Sequence, residues 1–237
     1  MNVFSIGIIL VLLMFGIVGA KNGIIKETAS LIGVIITFVL AFILKTPVGN
    51  FLCRILPPIS FGSNLDGISA LSILTYHLIA FLIMFIIILL IVGLFMKISK
   101  FIQKIVNMTI VLIIPSKIGG FIVGLISGYL ILFVVLINLN MFMQNADIFT
   151  DSKVANYIIN DTPVLSSACS NYRNTVSNIY KLGNDIANEK ISNVEANAIA
   201  IDEMLKNNIV KKELIIDLVR ANKINNSVYL QKVLNKY

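Results

Sequence analysis

Residues 118–139 constrain this chain more than any other stretch, because the run contains no charged residue. A helix of this length measures about 33 Å at a rise of about 1.5 Å per residue, which is enough to cross a hydrocarbon layer of about 30 Å. Gly120, Gly124 and Gly128 recur every four residues and therefore share one helix face. In lipid, such a face lets a second helix backbone come close. The pattern predicts a spanning helix with a packing seam for a partner helix; the alternative is incidental glycine in an apolar run.

The composition indicates that most of the chain lies in a membrane. Hydrophobic residues make up 57% of its 237 residues and charged residues 13%, with a mean hydropathy of +0.92, whereas soluble domains carry about 25% charged residues. A soluble fold of this size would expose too much of that apolar surface to water. Residues 1–146 are predicted to form a four-helix transmembrane domain, with spans at about 3–20, 24–44, 70–96 and 118–140.

Two further helical regions are predicted outside these spans. Basic residues at intervals of three and four, opposite an apolar face, predict an interfacial amphipathic helix over about 97–108. Residues 147–237 are polar but keep a helical period, which predicts a soluble helical tail. The predicted fold class is therefore all-α integral membrane, with four transmembrane helices, an interfacial amphipathic helix and a C-terminal soluble helical domain. The lysines expected to face lipid head groups are Lys97, Lys100, Lys104 and Lys117.

The distribution of basic residues predicts the orientation in the membrane. The first and third loops hold six lysines, whereas the second loop holds only Lys45 and Arg54. Because cytoplasmic loops carry the excess of Lys and Arg, the first and third loops are predicted to be cytoplasmic and both termini extracytoplasmic. The lipid bilayer is the expected partner of the basic membrane half. Nucleic acid is not an expected partner, because residues 147–237 hold eleven basic against ten acidic residues.

Small residues on other spans are candidates for the partner of the glycine stripe. Gly16 and Gly19 lie near the end of the first span, and the second span places Ser30, Gly33 and Thr37 on one face. That second-span face is predicted to complement the stripe. Serine and threonine hydroxyls at such positions more often bond a backbone carbonyl one turn earlier than a substrate. The candidate helix-packing residues are Gly16, Gly19, Ser30, Gly33, Gly120, Gly124 and Gly128.

His77 is the only histidine in the chain and lies near the start of the third span. An ionisable residue in a span is a candidate proton relay or ligand, which makes His77 the candidate intramembrane polar site. The favoured alternative is a neutral, hydrogen-bonded histidine at head-group level, because no span holds an Asp or Glu to pair with it. Cys53 and Cys169 fit no metal motif, and whether they pair stays open. No metal or cofactor is predicted.

Two motifs resemble the colicin V production protein family, CvpA. The first is GIVGAKNGIIKE at residues 16–27, and the second is PSKIGGFIVGLISG at residues 115–128. A weaker third point of similarity is Ser152-Lys-Val followed by Thr162-Pro163. The resemblance covers roughly residues 1–165 and implies a four-span bacterial plasma-membrane or inner-membrane protein, with a role in toxin production or export and in envelope maintenance. Some relatives carry an extracytoplasmic serine protease after the spans, but this chain has no His after His77 to complete a Ser-His-Asp triad.

Three function classes are compatible with this sequence. The first is a non-enzymatic membrane scaffold or accessory protein, whose tail meets a protein partner outside the cytoplasm and which can form a homo-oligomer. The second is a channel or transporter subunit for a small solute or ion, for which intramembrane charges or broken helices would be typical. The third is a membrane enzyme, which would need a paired nucleophile and base in the membrane. The sequence favours the scaffold and predicts no enzymatic activity.

Overall fold

The computed structural model describes residues 2–61, 68–103, 113–142 and 151–237, and four long apolar helices make up its first part. They are α1 (Val3–Asn22), α2 (Ile24–Ile55), α3 (Ser69–Gln103) and α4 (Ile113–Phe142). By length and composition, all four can cross a membrane, over Val3–Asn22, Ile24–Ile55, Ser69–Phe95 and Ser116–Asn140. In the most apolar part of each of the first three spans, no more than 28% of the residues are buried inside the protein, as is expected of helices that face lipid. The predicted class, an all-α multi-pass membrane protein with four spans, is confirmed.

The second helix is longer than the sequence predicted. From the sequence, the prolines of residues 45–67 predict an irregular loop or a short interfacial helix before Pro57, but α2 continues through Pro47 and ends at Ile55, before Pro57 and Pro58. A proline removes one backbone donor and disfavours a helix in water. In membrane helices, however, neighbouring groups satisfy the freed carbonyl and such prolines are tolerated. An irregular loop is therefore wrong for residues 45–55, whereas the alternative of a helix before Pro57 agrees with the structure, and Lys45 and Arg54 lie on α2.

The region predicted as an interfacial helix is only partly described. Residues 97–103 continue α3 without a break, so the described part of this region is an extension of the third helix. Lys97 and Lys100 lie on this extension, and their side chains are outside the described part of the structure. Lys104 and the rest of the predicted interfacial helix are outside the described residues. Lys117, in contrast, is described and is exposed on α4.

The C-terminal part is a succession of short amphipathic helices, as predicted. These are α5 (Lys153–Asn160), α6 (Leu165–Ala168), α7 (Ser170–Ala187), α8 (Asn193–Lys206), α9 (Lys212–Arg220) and α10 (Val228–Lys236). The side chains of Ser152, Ser192 and Ser227 cap α5, α8 and α10 by accepting a backbone N–H three residues further on, which satisfies donors that a helix start leaves free.

The chain forms two compact units that do not follow the order of the sequence. The first unit comprises Met1–Ala41 and Met84–Ser166, and the second comprises Phe42–Ile83 and Ser167–Tyr237. The second unit therefore joins the end of α2 and the start of α3 to most of the C-terminal helices. Nothing in the structure tests the predicted boundary after residue 146 as a domain boundary, and it stays a prediction.

Candidate functional site

The glycine stripe of α4 packs against α1 within the first unit. A Cβ atom on Gly124 would lie 2.5 Å from the carbonyl oxygen of Phe15 and 3.0 Å from the Cα of Gly19. A Cβ on Gly19 would in turn lie 2.8 Å from the Cα of Gly124 and would also clash with the Gly120 carbonyl group. Heavy atoms rarely approach a Cβ this closely, so the contact between the two backbones exists only because both helices lack side chains there. The predicted seam is present, and its partner is α1 rather than the face of α2 that the sequence suggested.

Aromatic rings close the two flanks of this seam. A Cβ on Gly16 would lie 2.6 Å from the ring of Phe121, and a Cβ on Gly128 would lie 2.6 Å from the side chain of Phe15. The phenylalanines of one helix thus lie over the glycines of the other, so that dispersion contacts replace the hydrophobic drive that is missing in lipid. We refer to these glycines and phenylalanines of α1 and α4 as the glycine seam.

The turn between α1 and α2 rests on the start of α4. Gly23 ends α1 with φ 77°, a left-handed conformation that glycine adopts without strain. The backbone N–H of Ile24 donates a hydrogen bond of 3.2 Å to the Ser116 hydroxyl, and a Cβ on Gly119 would lie 2.5 Å from the Ile24 side chain. The two motifs that resemble the CvpA family, at residues 16–27 and 115–128, are therefore in direct contact.

A buried carboxylate supports the same turn. Glu27 is only 4% exposed, and the Asn22 side-chain amide donates a 2.8 Å hydrogen bond to it. The Lys26 ammonium bonds the side-chain oxygen of Asn22 in turn. This chain of polar contacts links the last turn of α1 to the first turn of α2, where a buried charge requires partners.

The remaining candidate packing residues of α2 lie apart from the seam contacts. Gly33 is buried and Ser30 is half-buried. The Thr37 hydroxyl, which is fully buried, donates to the Gly33 carbonyl at 2.8 Å, as expected for a hydroxyl that bonds one turn back along its own helix. The roles of Ser30 and Gly33 in helix packing stay predictions.

His77 is buried in the second unit and has a partner on each ring nitrogen. Nδ1 lies 2.9 Å from the Ile73 carbonyl oxygen, and Nε2 lies 3.0 Å from the Asn50 side-chain oxygen. A Cβ on Gly49 would lie 2.6 Å from the imidazole ring, so α2 approaches the ring closely at that glycine. Because a carbonyl only accepts, Nδ1 carries a proton. The imidazole is buried between two helices, and because both partner oxygens accept, a neutral ring donates to only one of them. A relay role and a location at head-group level both stay predictions.

The two cysteines are free thiols in the second unit. Cys53 is buried on α2, and Cys169 is half-buried at the start of α7. Burial raises the pKa of the Cys169 thiol, while the positive charge of Lys45 acts in the opposite direction. The Lys45 ammonium itself lies 3.9 Å from the centre of the Phe42 ring and 5.1 Å from that of Tyr172, distances at which a cation is attracted to an aromatic face.

Side chains of the C-terminal helices hold the ends of α2 and α3 within the second unit. The Lys223 ammonium donates hydrogen bonds to the carbonyls of Cys53 and Arg54, in the last turn of α2, and of Leu56, directly after it, at 2.5–2.9 Å. The Asn197 side chain accepts the backbone N–H of Ala70, at the start of α3, at 3.1 Å. Helix ends leave such groups without partners, so the tail supplies caps that the two helices lack.

A further contact extends this arrangement along α3. The Tyr172 hydroxyl of α7 donates a 2.7 Å hydrogen bond to the Leu74 carbonyl, and burial raises the pKa of this tyrosine. Arg54 and Asp217 form an ion pair at 2.7 Å on the exposed side. Together with the Lys223 and Asn197 contacts, we refer to these as the tail clamp.

In the first unit, the helical path breaks between α5 and α6, where the sequence predicts the end of a short helix capped by Ser152 and the start of a second helix at Thr162-Pro163. A hydroxyl directly before a proline is typical of a helix start, so the Thr162 hydroxyl is expected to cap the second of these helices. That hydroxyl instead donates back to the Ile158 carbonyl at the end of α5, and Ser166 donates to the Ile159 carbonyl at 2.9 Å. Val164 has φ 67°, which is rare for a β-branched residue.

The fold and these sites define a multi-pass helical membrane protein whose α1–α2 turn and α4 are joined by glycine contacts. A family model described as colicin V production protein matches residues 4–163. The chain therefore belongs to the colicin V production protein family, and the matched region includes both the glycine seam and the break after α5. It ends before α7–α10, so the residues that the C-terminal helices contribute to the tail clamp lie beyond it. No curated protein and no solved structure matches the chain.

Proposed function

We propose that the protein is a non-catalytic scaffold of the bacterial plasma membrane that takes part in toxin production or export and in envelope maintenance. The observation that carries this proposal is the direct contact between the two family motifs through the glycine seam. The two motifs meet through backbone atoms and apolar side chains, and contacts of this kind fix the positions of helices relative to one another. A reaction centre would instead concentrate polar side chains.

The C-terminal helices are the proposed partner-binding part. They follow the four spans, and the six lysines of the first and third loops favour a location of the tail outside the cytoplasm. The tail clamp would couple a partner bound outside to the ends of α2 and α3. Fusions of the tail to an enzyme that is active only outside the cytoplasm should be active. Activity confined to fusions between residues 97 and 117 would contradict this orientation.

The scaffold role is tested by complementing a strain that lacks the protein and measuring toxin activity in the medium. The Gly124→Leu variant should fail to restore export, because the leucine would meet the α1 backbone. The matched control is Gly93→Leu, since a side chain at Gly93 meets no atom within 4 Å. If His77→Gln abolished export while leaving oligomer size and thermal stability unchanged, a chemical role for His77 would replace the scaffold proposal.

A channel or transporter subunit is the second candidate, and the break after α5 is the observation that favours it. Transport proteins often place interrupted helices near the middle of the membrane. Purified protein in liposomes loaded with a cation-sensitive dye would reveal any flux. Flux that disappears in Gly124→Leu and persists in Gly93→Leu would favour this candidate over a pure scaffold.

A further inference from the structure

The segment from Ser152 to Ser166 reaches the middle of the membrane-spanning helices. Leu165 shares a small apolar cavity, of about 70 Å³, with residues of three long helices that include Phe38, Phe85 and Leu130. Each of these three lies within about one helical turn of the middle of its apolar helix. A second contact agrees, since the Tyr129 hydroxyl, also near the middle of α4, lies 2.6 Å from the Thr162 hydroxyl.

The same segment begins at the edge of the membrane. The hydroxyl of Ser152, at the N-terminal end of α5, lies 2.8 Å from the Ser5 hydroxyl, in the first turn of α1. The eight residues of α5 measure about 12 Å along the axis, which is close to half of a hydrocarbon layer of about 30 Å. After α4 has crossed the membrane, the chain therefore re-enters it as a half-helix that ends near the centre.

One side of this re-entrant segment is exposed, and it carries charge. Lys153 and Tyr157 lie one turn apart on α5, and Asp161 and Val164 lie in the break that follows it. All four are exposed, with Tyr157 at 59% and Val164 at 78%. The opposite side is buried, and its hydroxyls satisfy the last carbonyls of α5. The exposed Asp161 carboxylate therefore lies beside Thr162, at the level of the middle of α4.

An exposed carboxylate at this depth needs water. A charged side chain in the hydrocarbon centre costs at least about 2.5–3.5 kcal/mol, and irregular backbone at membrane depth is tolerated only inside protein or beside a water-filled cavity. The C-terminal end of α5 adds a partial negative charge next to Asp161. Half-helix ends of this kind coordinate cations in transporters.

We propose that the side of the re-entrant segment carrying Asp161 and Val164 lines a narrow water-filled crevice, open on the side where α1 begins, which admits small cations to the middle of the membrane. Asp161 attracts the cation, and Val164 borders its path. The crevice does not rest on the scaffold role, because it is measured on the membrane-embedded protein without a toxin assay.

Cysteine accessibility tests the crevice in sealed membrane vesicles. The background carries Cys53→Ala and Cys169→Ala, and Val164→Cys supplies the only thiol. A small charged methanethiosulfonate reagent should modify this thiol, whereas a bulky polyethylene-glycol maleimide should not. Lys232→Cys, exposed on α10, should react with both reagents, and Ile36→Cys, on the exposed side of α2 near its middle, should react with neither.

Each possible labelling pattern either supports or contradicts the crevice. Reaction of Val164→Cys with both reagents would mean that the segment lies outside the membrane, and reaction with neither would mean that lipid or protein covers it. Either result would overturn the crevice. A retained gel-filtration profile in detergent ensures that each variant is folded when it is labelled.

The charge of the reagent tests the cation preference. At Val164→Cys, a positively charged methanethiosulfonate should react about tenfold faster than a negatively charged one, relative to the ratio at Lys232→Cys, because a cleft lined by one sign of charge concentrates counter-ions. Adding Asp161→Asn should abolish this preference without blocking access. An unchanged preference in the Asp161→Asn variant would remove Asp161 from the proposal.

Discussion

The glycine seam of the first unit and the tail clamp of the second hold membrane helices by different kinds of contact. In the seam, α1 and α4 touch through backbone atoms because Gly19 and Gly124 have no side chains. In the clamp, long polar side chains such as those of Lys223 and Tyr172 reach backbone carbonyls of α2 and α3. The first kind of contact requires positions without a side chain, and the second requires long polar side chains on the C-terminal helices.

The difference follows from what surrounds each set of contacts. Between apolar helices in lipid, hydrophobic burial gives no advantage, so close packing of small residues provides the attraction. At the ends of helices, carbonyl and N–H groups are left without partners, and a lysine or an asparagine can satisfy them. The seam should therefore respond to added volume, and the clamp should respond to lost hydrogen bonds.

The largest expected effect comes from adding volume to the seam. Gly124→Leu should destabilise the protein by at least about 3 kcal/mol, because overpacking against a backbone cannot be relieved by a rotamer change. Thermal unfolding in detergent, followed by circular dichroism, measures the loss. Gly93→Leu should leave the melting temperature unchanged or raise it, since leucine is a better helix former than glycine. Equal melting temperatures for the two variants would remove the seam from this comparison.

A smaller effect is expected when a clamp residue is removed. Lys223→Ala should cost about 1–2 kcal/mol, because hydrogen bonds from a charged donor to the end of α2 are lost. Hydrogen exchange at residues 52–56 should become about tenfold faster as that end frays. Lys232→Ala, at an exposed position of α10, provides the matched control. If exchange at 52–56 did not change in Lys223→Ala, the cap would have no energetic role.

The hydrogen bond between the Tyr129 and Thr162 hydroxyls should contribute less to the free energy of unfolding than a residue of the tail clamp. A double-mutant cycle with Tyr129→Phe and Thr162→Val should give a coupling energy of about 0.6 kcal/mol, the average for such bonds between membrane helices. Unfolding in mixed detergent measures all four proteins of the cycle. A coupling energy of zero would indicate that the two hydroxyls do not meet in the membrane.

The smallest effect is expected for the ion pair of the clamp. Arg54 and Asp217 are partly exposed, with side-chain exposures of 56% and 38%, so that water and salt screen their attraction. Asp217→Asn should cost less than about 1 kcal/mol, and high salt should abolish the difference from the unsubstituted protein. A loss that persists in high salt would show that the carboxylate does more than pair with Arg54.

Periodicity predicted the glycine stripe but not its partner. The spacing of Gly120, Gly124 and Gly128 marks one face of α4. Small residues on both the first and the second span made each of these spans a candidate partner for that face. Only the contacts with Phe15 and Gly19 select α1. A face can be read from spacing along one helix, whereas a partner depends on how the connecting turns place the other helices.

The same limit explains the errors at Pro47 and at the Thr162 hydroxyl. In soluble proteins, a proline usually interrupts a helix and a hydroxyl directly before a proline usually caps one, and both predictions assumed this behaviour. In the structure, α2 passes through Pro47, and the hydroxyls of Thr162 and Ser166 satisfy the carbonyls at the break after α5. Local rules fail where other parts of the fold supply the missing partners.

The sequence by itself determined the four spans, the helical tail and the glycine face, because hydropathy, length and spacing are properties of consecutive residues. Tertiary structure alone decided that α1 fills the glycine face, that the tail caps α2 and α3, and that the segment with α5 packs beside the middle of the long helices. These features join residues that are far apart in the chain. Their free energies come from desolvated contacts that exist only once the helices have assembled.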